Sequence, residues 1–427
     1  MTARTGTAPA PSGAFAPAVA ARAALTYLAE PGDIRLGAVL RVCGPEQALD
    51  GIRAACLPGA AMRAAFGSGT AARAAARRAV ERWRARLAEL PRADGLGAFA
   101  RAGIRLACPG DPEWPSQLAG LGDGQPYALW LRGGADLRFC CLRSVAIVGS
   151  RAATAYGSYV AGETAASLAA RGWAIISGGA YGVDAAAHRG ALGADGVTIA
   201  VLACGVDHPY PAGHKDLMDA IAAQGVLVSE WPPGRTPTRL RFLVRNRVIA
   251  ALATGTLVVE AGARSGALNT ARHARDLYRP LMAVPGPVTS DLSAGCHTVI
   301  REWHGTLVTS AADVIEFLSP PGSAAAAPGA SPGPAGASPQ GGAPGLGASD
   351  GVLLPRDVLD LDTARVLDAL PVRGGAGPAT IANAAGLDLE TVMRCLGALA
   401  AGGFAERCAG GWRVRRPAGD RRRAGRM

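Results

Sequence analysis

The fold is decided by the stretch Val145-Ala146-Ile147-Val148-Gly149-Ser150-Arg151, in which a short apolar run leads into a glycine turn. The apolar run predicts a buried strand, and residues 156–170 after the turn predict an amphipathic helix. The pattern continues, with strands predicted over residues 145–148, 174–176, 198–203, 226–228, 256–259, 281–284 and 306–308, and helices over 156–170, 215–224, 245–253, 267–277 and 296–303. Strands alternating with helices in this way indicate an α/β protein with a Rossmann-like, doubly wound, mostly parallel sheet.

The composition is that of a folded protein with an acidic partner. The chain has 427 residues, 49% of them hydrophobic, and a formal net charge of +11. Such an excess of basic residues is typical of proteins that bind nucleic acid. No stretch approaches the roughly 20 apolar residues of a spanning helix, which argues against membrane insertion. The nine cysteines form no Cys-x-x-Cys pair, which predicts reduced thiols in a cytoplasmic protein rather than a metal site or a disulfide framework.

Shifts in composition divide the chain into segments. Residues 1–19 are interpreted as a disordered leader, 20–100 as a helical N-terminal module and 101–143 as an extended, turn-rich bridge into the core. Residues 144–318 form the predicted Rossmann-like domain. Residues 319–353 consist almost entirely of Ala, Gly, Pro and Ser and predict a flexible linker. Residues 354–416, with three predicted helices before a hairpin, predict a winged-helix domain, and residues 417–427 form a basic tail.

Two glycine-rich turns follow predicted strands, where a doubly wound sheet binds its ligands. The first is Gly149-Ser150-Arg151 and the second is Ser177-Gly178-Gly179. Backbone N–H groups of such turns bind anions, and Arg151 adds a charge suited to phosphate. Tight packing of a strand against a helix is the alternative explanation for each turn taken alone. Neither turn matches the dinucleotide fingerprint or the Walker loop, so no cofactor is predicted.

A cluster of arginines surrounds one aromatic residue further along the chain. Arg239-Leu240-Arg241-Phe242 precedes Arg245-Asn246-Arg247, which begins a predicted apolar helix. Arginines can bind phosphates while Phe242 stacks on a base, as in grooves that hold single-stranded nucleic acid. The alternative is a solvated charged turn with Phe242 anchored in the core. Another helix is predicted to begin at Ser265-Gly266, with its N–H groups facing the same groove.

Three further residues carry groups that can take part in acid–base chemistry. Asp184 and His188 lie four residues apart on one face of a helix. They are interpreted as a helix cap and a hydrogen-bonded histidine rather than as an acid–base pair. Glu260 ends a predicted strand and has three interpretations: a catalytic carboxylate, a ribose ligand or a structural partner of an arginine. No catalytic residue is assigned on these patterns.

Taken in order, these motifs resemble the DNA-processing protein A family, also called Smf. The matching stretches are Val145-Ala146-Ile147-Val148-Gly149-Ser150-Arg151, Ile176-Ser177-Gly178-Gly179-Ala180, Gly182-Val183-Asp184 with His188, Tyr210-Pro211, Ser229-Glu230, Phe242 with Arg245-Asn246-Arg247-Val248-Ile249-Ala250, Val259-Glu260-Ala261, Ser265-Gly266, Thr270-Ala271 and Val284-Pro285-Gly286. The resemblance covers residues 144–318, and the flanking modules are similar as well. Two departures lie late in the domain: His297 stands where Asn is expected, and Glu302-Trp303-His304-Gly305 interrupts the usual Gly-Ala turn.

The resemblance implies a cytoplasmic, non-enzymatic protein that binds single-stranded DNA and forms a homodimer. Such proteins protect incoming strands and help to load the RecA recombinase in natural transformation. The family's pocket residues correspond here to Arg151, Ser177, Gly178, Gly179, Arg239 and Phe242, with Arg245 and Asn246 as neighbours. With the turns described above, the predicted DNA-binding residues are Gly149, Ser150, Arg151, Ser177, Gly178, Gly179, Arg239, Arg241, Phe242, Arg245, Asn246, Ser265 and Gly266.

Two other functions compete with this interpretation. Gly255-Thr256 before Glu260 is similar to the Rossmann-like nucleotide phosphoribohydrolases, but the Pro-Gly-Gly turn of those enzymes is absent from the sequence. A regulator of duplex DNA would act through the winged helix. However, the helix predicted over residues 389–399 carries only Arg394 as a basic residue, and a protein contact fits that module equally well.

Overall fold

The computed structural model describes residues 16–91, 95–319, 361–371, 374–401, 404–408 and 410–415. Most of the predicted leader, nearly all of the predicted linker and the whole predicted basic tail lie outside these ranges. The chain divides into two compact units, Met1–Ala330 and Ser331–Met427.

Five helices open the first unit: α1 (Pro17–Leu28), α2 (Ile34–Arg53), α3 (Gly59–Phe66), α4 (Thr70–Arg84) and α5 (Gly95–Arg101). α1 begins three residues before the predicted module, because proline at Pro17 is well suited to a first helical turn. The Asp33 carboxylate caps α2 by accepting the amide N–H of Arg35 at 2.9 Å. The first four of these helices share a core that includes Leu25, Leu36, Ile52 and Trp83, whereas Leu96 and Phe99 of α5 pack against a separate cluster.

Nine strands form one sheet: β1 (Ile104–Ala107), β2 (Leu129–Arg132), β3 (Ser144–Gly149), β4 (Ala174–Ser177), β5 (Thr198–Leu202), β6 (Val226–Ser229), β7 (Gly255–Val259), β8 (Leu281–Ala283) and β9 (Thr306–Leu307). Their order is β1-β2-β6-β5-β4-β3-β7-β8-β9. From β6 to β9 all neighbours are parallel, whereas β1 and β2 are paired antiparallel at one edge. This arrangement confirms the predicted α/β fold with a mostly parallel sheet. The segment interpreted as an extended bridge supplies β1 and β2, and the short helix α6 (Leu137–Cys141) leads into β3.

Helices cover both faces of the sheet. One face packs against α7 (Ala155–Ala170), α8 (Val183–Gly193) and α13 (Ala311–Leu318), and the other against α10 (Arg239–Leu252), α11 (Gly266–Asp276) and α12 (Ala294–Glu302). α9 (Lys215–Gln224) packs beside β5 and β6. Because side chains alternate along a strand, Val145 and Ile147 of β3 enter the first layer while Ala146 and Val148 enter the second.

α10 is longer than the sequence indicates, since it begins at Arg239 rather than at Arg245. Thr238 caps it, with its hydroxyl accepting the amide N–H of Arg241 at 3.4 Å. Arg239, Arg241 and Phe242, which the sequence predicts to precede the helix, therefore lie on the helix itself. Their directions follow the helical repeat of about 3.6 residues per turn.

The second unit contains α14 (Leu361–Asp368), α15 (Pro378–Ala385), α16 (Leu389–Ala401), β10 (Ala405–Cys408) and β11 (Gly411–Val414). The two strands pair antiparallel after the three helices. Val366, Ile381, Leu396 and Leu399 form its core. The order of elements is the one predicted, and the winged-helix assignment stays a prediction.

Among the helices that the structure describes, none combines the length and the apolar character needed to cross a membrane.

Candidate functional site

A groove of about 900 Å³ opens at the carboxyl end of β3. β3 lies between β4 and β7, at the point where the chain stops adding strands on one side of the sheet and returns to add them on the other. Open α/β sheets bind their ligands at this reversal of strand order, because the loops after the strands diverge there and leave a crevice. The first turns of α10 and α11 form the opposite side of the groove.

Most of the predicted DNA-binding residues meet in this groove. Those that line it are Gly149, Ser150, Arg151, Arg239, Phe242, Arg245, Asn246, Ser265 and Gly266. Ser177, Gly178, Gly179 and Arg241 are not among the lining residues. The residues that line the groove come from loops and helices far apart in the sequence, so the fold brings them together.

Phe242 is at the centre of a cluster of cationic and aromatic groups. The guanidinium carbon of Arg151 lies 5.0 Å from the centroid of the Phe242 ring, and that of Arg245 lies 5.9 Å from it. The ring of Tyr210 lies 5.7 Å from Phe242, centroid to centroid, with the planes tilted by 53°. Phe242 is half-buried, so it is not the core anchor of the alternative interpretation. Cations near the ring are attracted by its quadrupole.

Arg245 connects the groove to the turn after β4. Its guanidinium is buried and donates to the carbonyl oxygens of Gly178, at 2.8 Å, and of Val201. Burial lowers the pKa of Arg245 to about 10, against the opposing effect of the nearby Asp184 carboxylate, and the group remains a cation at neutral pH. A Cβ atom at Gly178 would lie 2.6 Å from Nη2 of Arg245, so glycine is required for this approach.

The turn Ser177-Gly178-Gly179 therefore supports the groove rather than lining it. The Ser177 hydroxyl donates to the carbonyl oxygen of Ile147 at 2.6 Å and ties β4 to β3. Gly179 has a φ of 72° and its carbonyl oxygen lies 3.1 Å from Nδ1 of His214. These contacts agree with the packing explanation for this turn, which the sequence left open.

Arg241 points away from the groove. Its Nη2 lies 3.1 Å from Oε1 of Glu30, and its Nη1 donates to the carbonyl oxygen of Thr236 at 2.7 Å. Two positions along a helix correspond to a rotation of roughly 200°, so Arg239 and Arg241 cannot face the same side of α10. Arg241 therefore does not lie with the groove residues, and its role in DNA binding stays a prediction.

Two helix N-termini border the groove. Thr238 caps α10, and the Ser265 hydroxyl caps α11 by accepting the amide N–H of Ala267 at 3.2 Å. Asn246 is held in place because its side-chain amide donates to Oδ1 of Asn269 at 3.2 Å. The partial positive charge of helix N-termini favours anions at this border.

Sequence reasoning did not nominate several groove residues, namely Tyr210, Thr238, Arg264 and Asn269. Arg264 directly precedes the cap of α11, and a basic residue before a capped helix in a glycine-rich loop was a signal that could have found it. With Arg264 included, the charged side chains lining the groove are those of Arg151, Arg239, Arg245, Arg264 and Asp184. Cationic groups therefore dominate the groove.

The acid–base candidates have structural partners. Burial raises the pKa of Asp184, although the charge of Arg245 and the amide N–H of Ala180 act to lower it. That N–H donates to Oδ2 of Asp184 at 3.3 Å. Nδ1 of His188 lies 2.7 Å from the Thr198 hydroxyl, and burial lowers the pKa of His188 to about 3. His188 is therefore a neutral core residue, as the preferred interpretation expected.

Glu260 binds the start of α7 and not an arginine. Its carboxylate accepts the amide N–H of Thr154 at 2.8 Å and the Thr154 hydroxyl at 2.5 Å. Gly157 lies directly above it, where a Cβ atom would come within 2.1 Å of Oε2. Glu260 is a structural residue with Thr154 as its partner, and it does not line the groove.

Comparison with known proteins agrees with the motifs. Residues 105–319 match the family model described as DNA recombination-mediator protein A. A relative from Mycobacterium tuberculosis, described as a candidate DNA processing protein DprA, is 44% identical over 411 residues, which cover 94% of this chain and 95% of the relative. DNA processing protein DprA of Streptococcus pneumoniae is 40% identical over 205 residues, or 48% of this chain and 71% of that protein.

A solved structure extends this similarity to the fold. The X-ray structure of DNA processing protein A from Streptococcus pneumoniae is 28% identical, covers 71% of this chain and 98% of that chain, and superposes with a TM-score of 0.55. The family model spans half of the sequence, and the Mycobacterium tuberculosis relative matches nearly end to end. The chain therefore belongs to the DNA recombination-mediator protein A family.

Proposed function

We propose that the groove binds single-stranded DNA. The observation that carries this proposal is the cluster in which the guanidinium groups of Arg151 and Arg245 and the ring of Tyr210 all lie within 6 Å of the Phe242 ring centroid. The accessible part of the half-buried Phe242 ring can stack on a base while the arginines bind the adjacent phosphates. Bases in a duplex are stacked on each other and do not present their faces, so this chemistry favours a single strand.

The proposal extends to a non-enzymatic role. Glu260, His188 and Asp184 each have hydrogen-bond partners within the fold, and Glu260 and His188 lie outside the groove lining. A hydrolase of nucleotides needs a free carboxylate at the ligand, which Glu260 does not offer. These contacts support binding without chemistry and disfavour the phosphoribohydrolase alternative.

Membership of the family supports the wider role. We propose that this protein acts in the cytoplasm as a homodimer, protects incoming single strands and helps to load the RecA recombinase in natural transformation. The predicted division of the chain, with a winged-helix domain over residues 354–416, belongs to the same proposal.

The test is a titration of the full-length protein into a fluorescent oligonucleotide, in single-stranded form and as a duplex of the same sequence. We expect tighter binding of the single strand and a salt dependence with a slope of roughly −0.7 for each phosphate neutralised. Equal affinity for both forms, or unchanged affinity in a folded Arg151→Ala variant, would contradict the groove assignment. Release of free base from nucleoside monophosphates would contradict the non-enzymatic role.

A further inference from the structure

α4 presents a strongly basic face outside the groove. Its core face consists of Ala72, Ala76, Ala79, Val80 and Trp83, all buried. Five arginines lie on the remainder of the helix, and all are exposed: Arg73, Arg77, Arg78, Arg82 and Arg84. These five residues are called the α4 arginine face below. From Arg73 to Arg84, at a rise of 1.5 Å per residue, the face extends over about 16 Å.

Acidic residues do not balance this face. Residues 59–88 contain seven arginines and a single acid, Glu81. Glu81 accompanies Arg77, with Oε1 3.6 Å from Nε. Within the described ranges of the chain, no acidic side chain lies within salt-bridge distance of Arg73, Arg78 or Arg84. A solvated helix face ordinarily mixes charges of both signs, so this one is a surface for an acidic partner.

The C-terminal end of α4 is connected to the helix that borders the groove. Arg86, two residues after α4, lies 3.2 Å from Oε1 of Glu30, measured from Nη1. The same oxygen of Glu30 lies 3.1 Å from Nη2 of Arg241, in the first turn of α10. That turn also carries Arg239, which lines the groove. The segment that follows α4 is therefore linked through Glu30 to the helix that borders the groove.

The negative charge of Glu30 is balanced by the two arginines that contact it, Arg86 and Arg241, so it does not repel a DNA strand between the groove and α4. Burial opposes its ionisation, but hydrogen bonds from Arg241 and from the Trp231 indole lower its pKa. The carboxylate is thus charged, and two arginines share it. The indole of Trp83 donates to Oδ2 of Asp33 at 3.2 Å, which fixes α4 against the start of α2. A fixed helix holds its cations in place before a ligand binds.

We propose that the α4 arginine face is a second phosphate-binding surface, which holds the part of a single DNA strand that leaves the groove. This inference rests on the proposed function of the groove. The face carries cations without an exposed aromatic residue on the same helix, so it binds the backbone and does not select bases. A strand long enough to reach it contacts both surfaces, whereas a short one occupies the groove alone.

The experiment compares two lengths of fluorescent oligothymidine with the full-length protein. One has about six nucleotides, near the lower end of the site sizes of single-strand grooves, and the other has about 30. The test variant is Arg73→Gln with Arg84→Gln, since both side chains are exposed and glutamine is a good helix former. The control is Arg171→Gln with Arg189→Gln, which removes the same charge from exposed positions at the end of α7 and on α8.

For the long strand, we expect the test variant to bind on the order of tenfold more weakly at about 0.1 M salt, with a salt slope smaller by about 1.4, because two phosphate contacts are lost. For the short strand, it binds as the unmodified protein does. Equal losses in the test and control variants, or unchanged long-strand binding by the test variant, would overturn the second surface and leave the groove intact. Absence of short-strand binding by the unmodified protein would instead overturn the proposed function itself.

Discussion

The guanidinium carbon of Arg151 lies 5.0 Å from the centroid of the Phe242 ring, although three strands and three α-helices separate the two residues in the chain order. Arg151 follows β3 and Phe242 belongs to the second turn of α10. The contact therefore spans the groove and joins its two sides. A base stacked on Phe242 would meet a cation already in position for the neighbouring phosphate.

Phe242→Ala should weaken binding of a short single strand by about 5- to 150-fold, since stacking on an aromatic side chain is worth about 1–3 kcal/mol per base. Phe242→Leu is the matched control for packing, because leucine keeps an apolar contact with Tyr210 but has no ring face. Both variants should lose affinity in a fluorescence anisotropy titration. Full affinity in the leucine variant would mean that Phe242 acts by packing and not by stacking.

Arg239 and Arg241 should behave differently despite their proximity in sequence. Arg239→Gln removes a cation from the groove, so the salt slope for a short strand should decrease by about 0.7. Arg241→Gln breaks the contact with Glu30, which is half-exposed, and should cost less than about 1 kcal/mol of unfolding free energy without changing the slope. Equal salt slopes for the two variants would contradict the prediction that Arg239 binds a DNA phosphate and Arg241 does not.

Two glycines of α7 provide a test of the Glu260 contact. Gly157→Ala places a methyl group within 2.1 Å of the Glu260 carboxylate and should lower the free energy of unfolding by about 1–3 kcal/mol. At Gly162 the nearest atom to an added Cβ is the carbonyl oxygen of Ala186, at 3.6 Å. Gly162→Ala should therefore raise stability by about 0.5–1 kcal/mol. Urea denaturation measures both, and a stable Gly157→Ala variant would refute the proposed packing.

His188 should make stability depend on pH in the acid range. Its pKa is lowered from the ordinary 6.5 of histidine to about 3 in the folded protein, because its ring is buried. The unfolded chain binds the proton more readily, so the contribution is fully present above pH 6.5 and is lost as the pH falls toward 3. The loss approaches about 1.4 kcal/mol for each pH unit within that window. Urea denaturation at a series of pH values should show a shallower dependence for His188→Gln, and identical curves would contradict this role.

The sequence was sufficient for the sheet and for the position of the groove. Alternating apolar strands and helices predict parallel strands, and a glycine turn after β3 predicts where a ligand binds, because both depend on local patterns. The sequence alone did not distinguish the roles of residues that are close to each other in the chain. Arg239 and Arg241 share a charge and a segment, and only the start of α10 at Thr238 determines that they face different partners.

Partners that come from distant segments could not be predicted either. Glu260 binds Thr154, and Gly178 accepts a hydrogen bond from Arg245, through contacts that no spacing in the sequence encodes. Glycine at a turn is compatible with anion binding and with close packing alike. At Gly178 the presence of a buried guanidinium decides for packing, and that guanidinium belongs to a helix two strands later in the chain.

α10 holds three neighbours at once, through Arg239 at the groove, Arg241 at Glu30 and Arg245 at the turn after β4. A single DNA strand bound in the groove would therefore reduce the local unfolding of α10, which also contacts the N-terminal helices through Glu30. Amide hydrogen exchange should slow in α1 and at the start of α2 when the groove is filled, although these segments do not line it. Binding of DNA in the groove would thus be measurable as increased protection of the backbone amides in the N-terminal helices from hydrogen exchange.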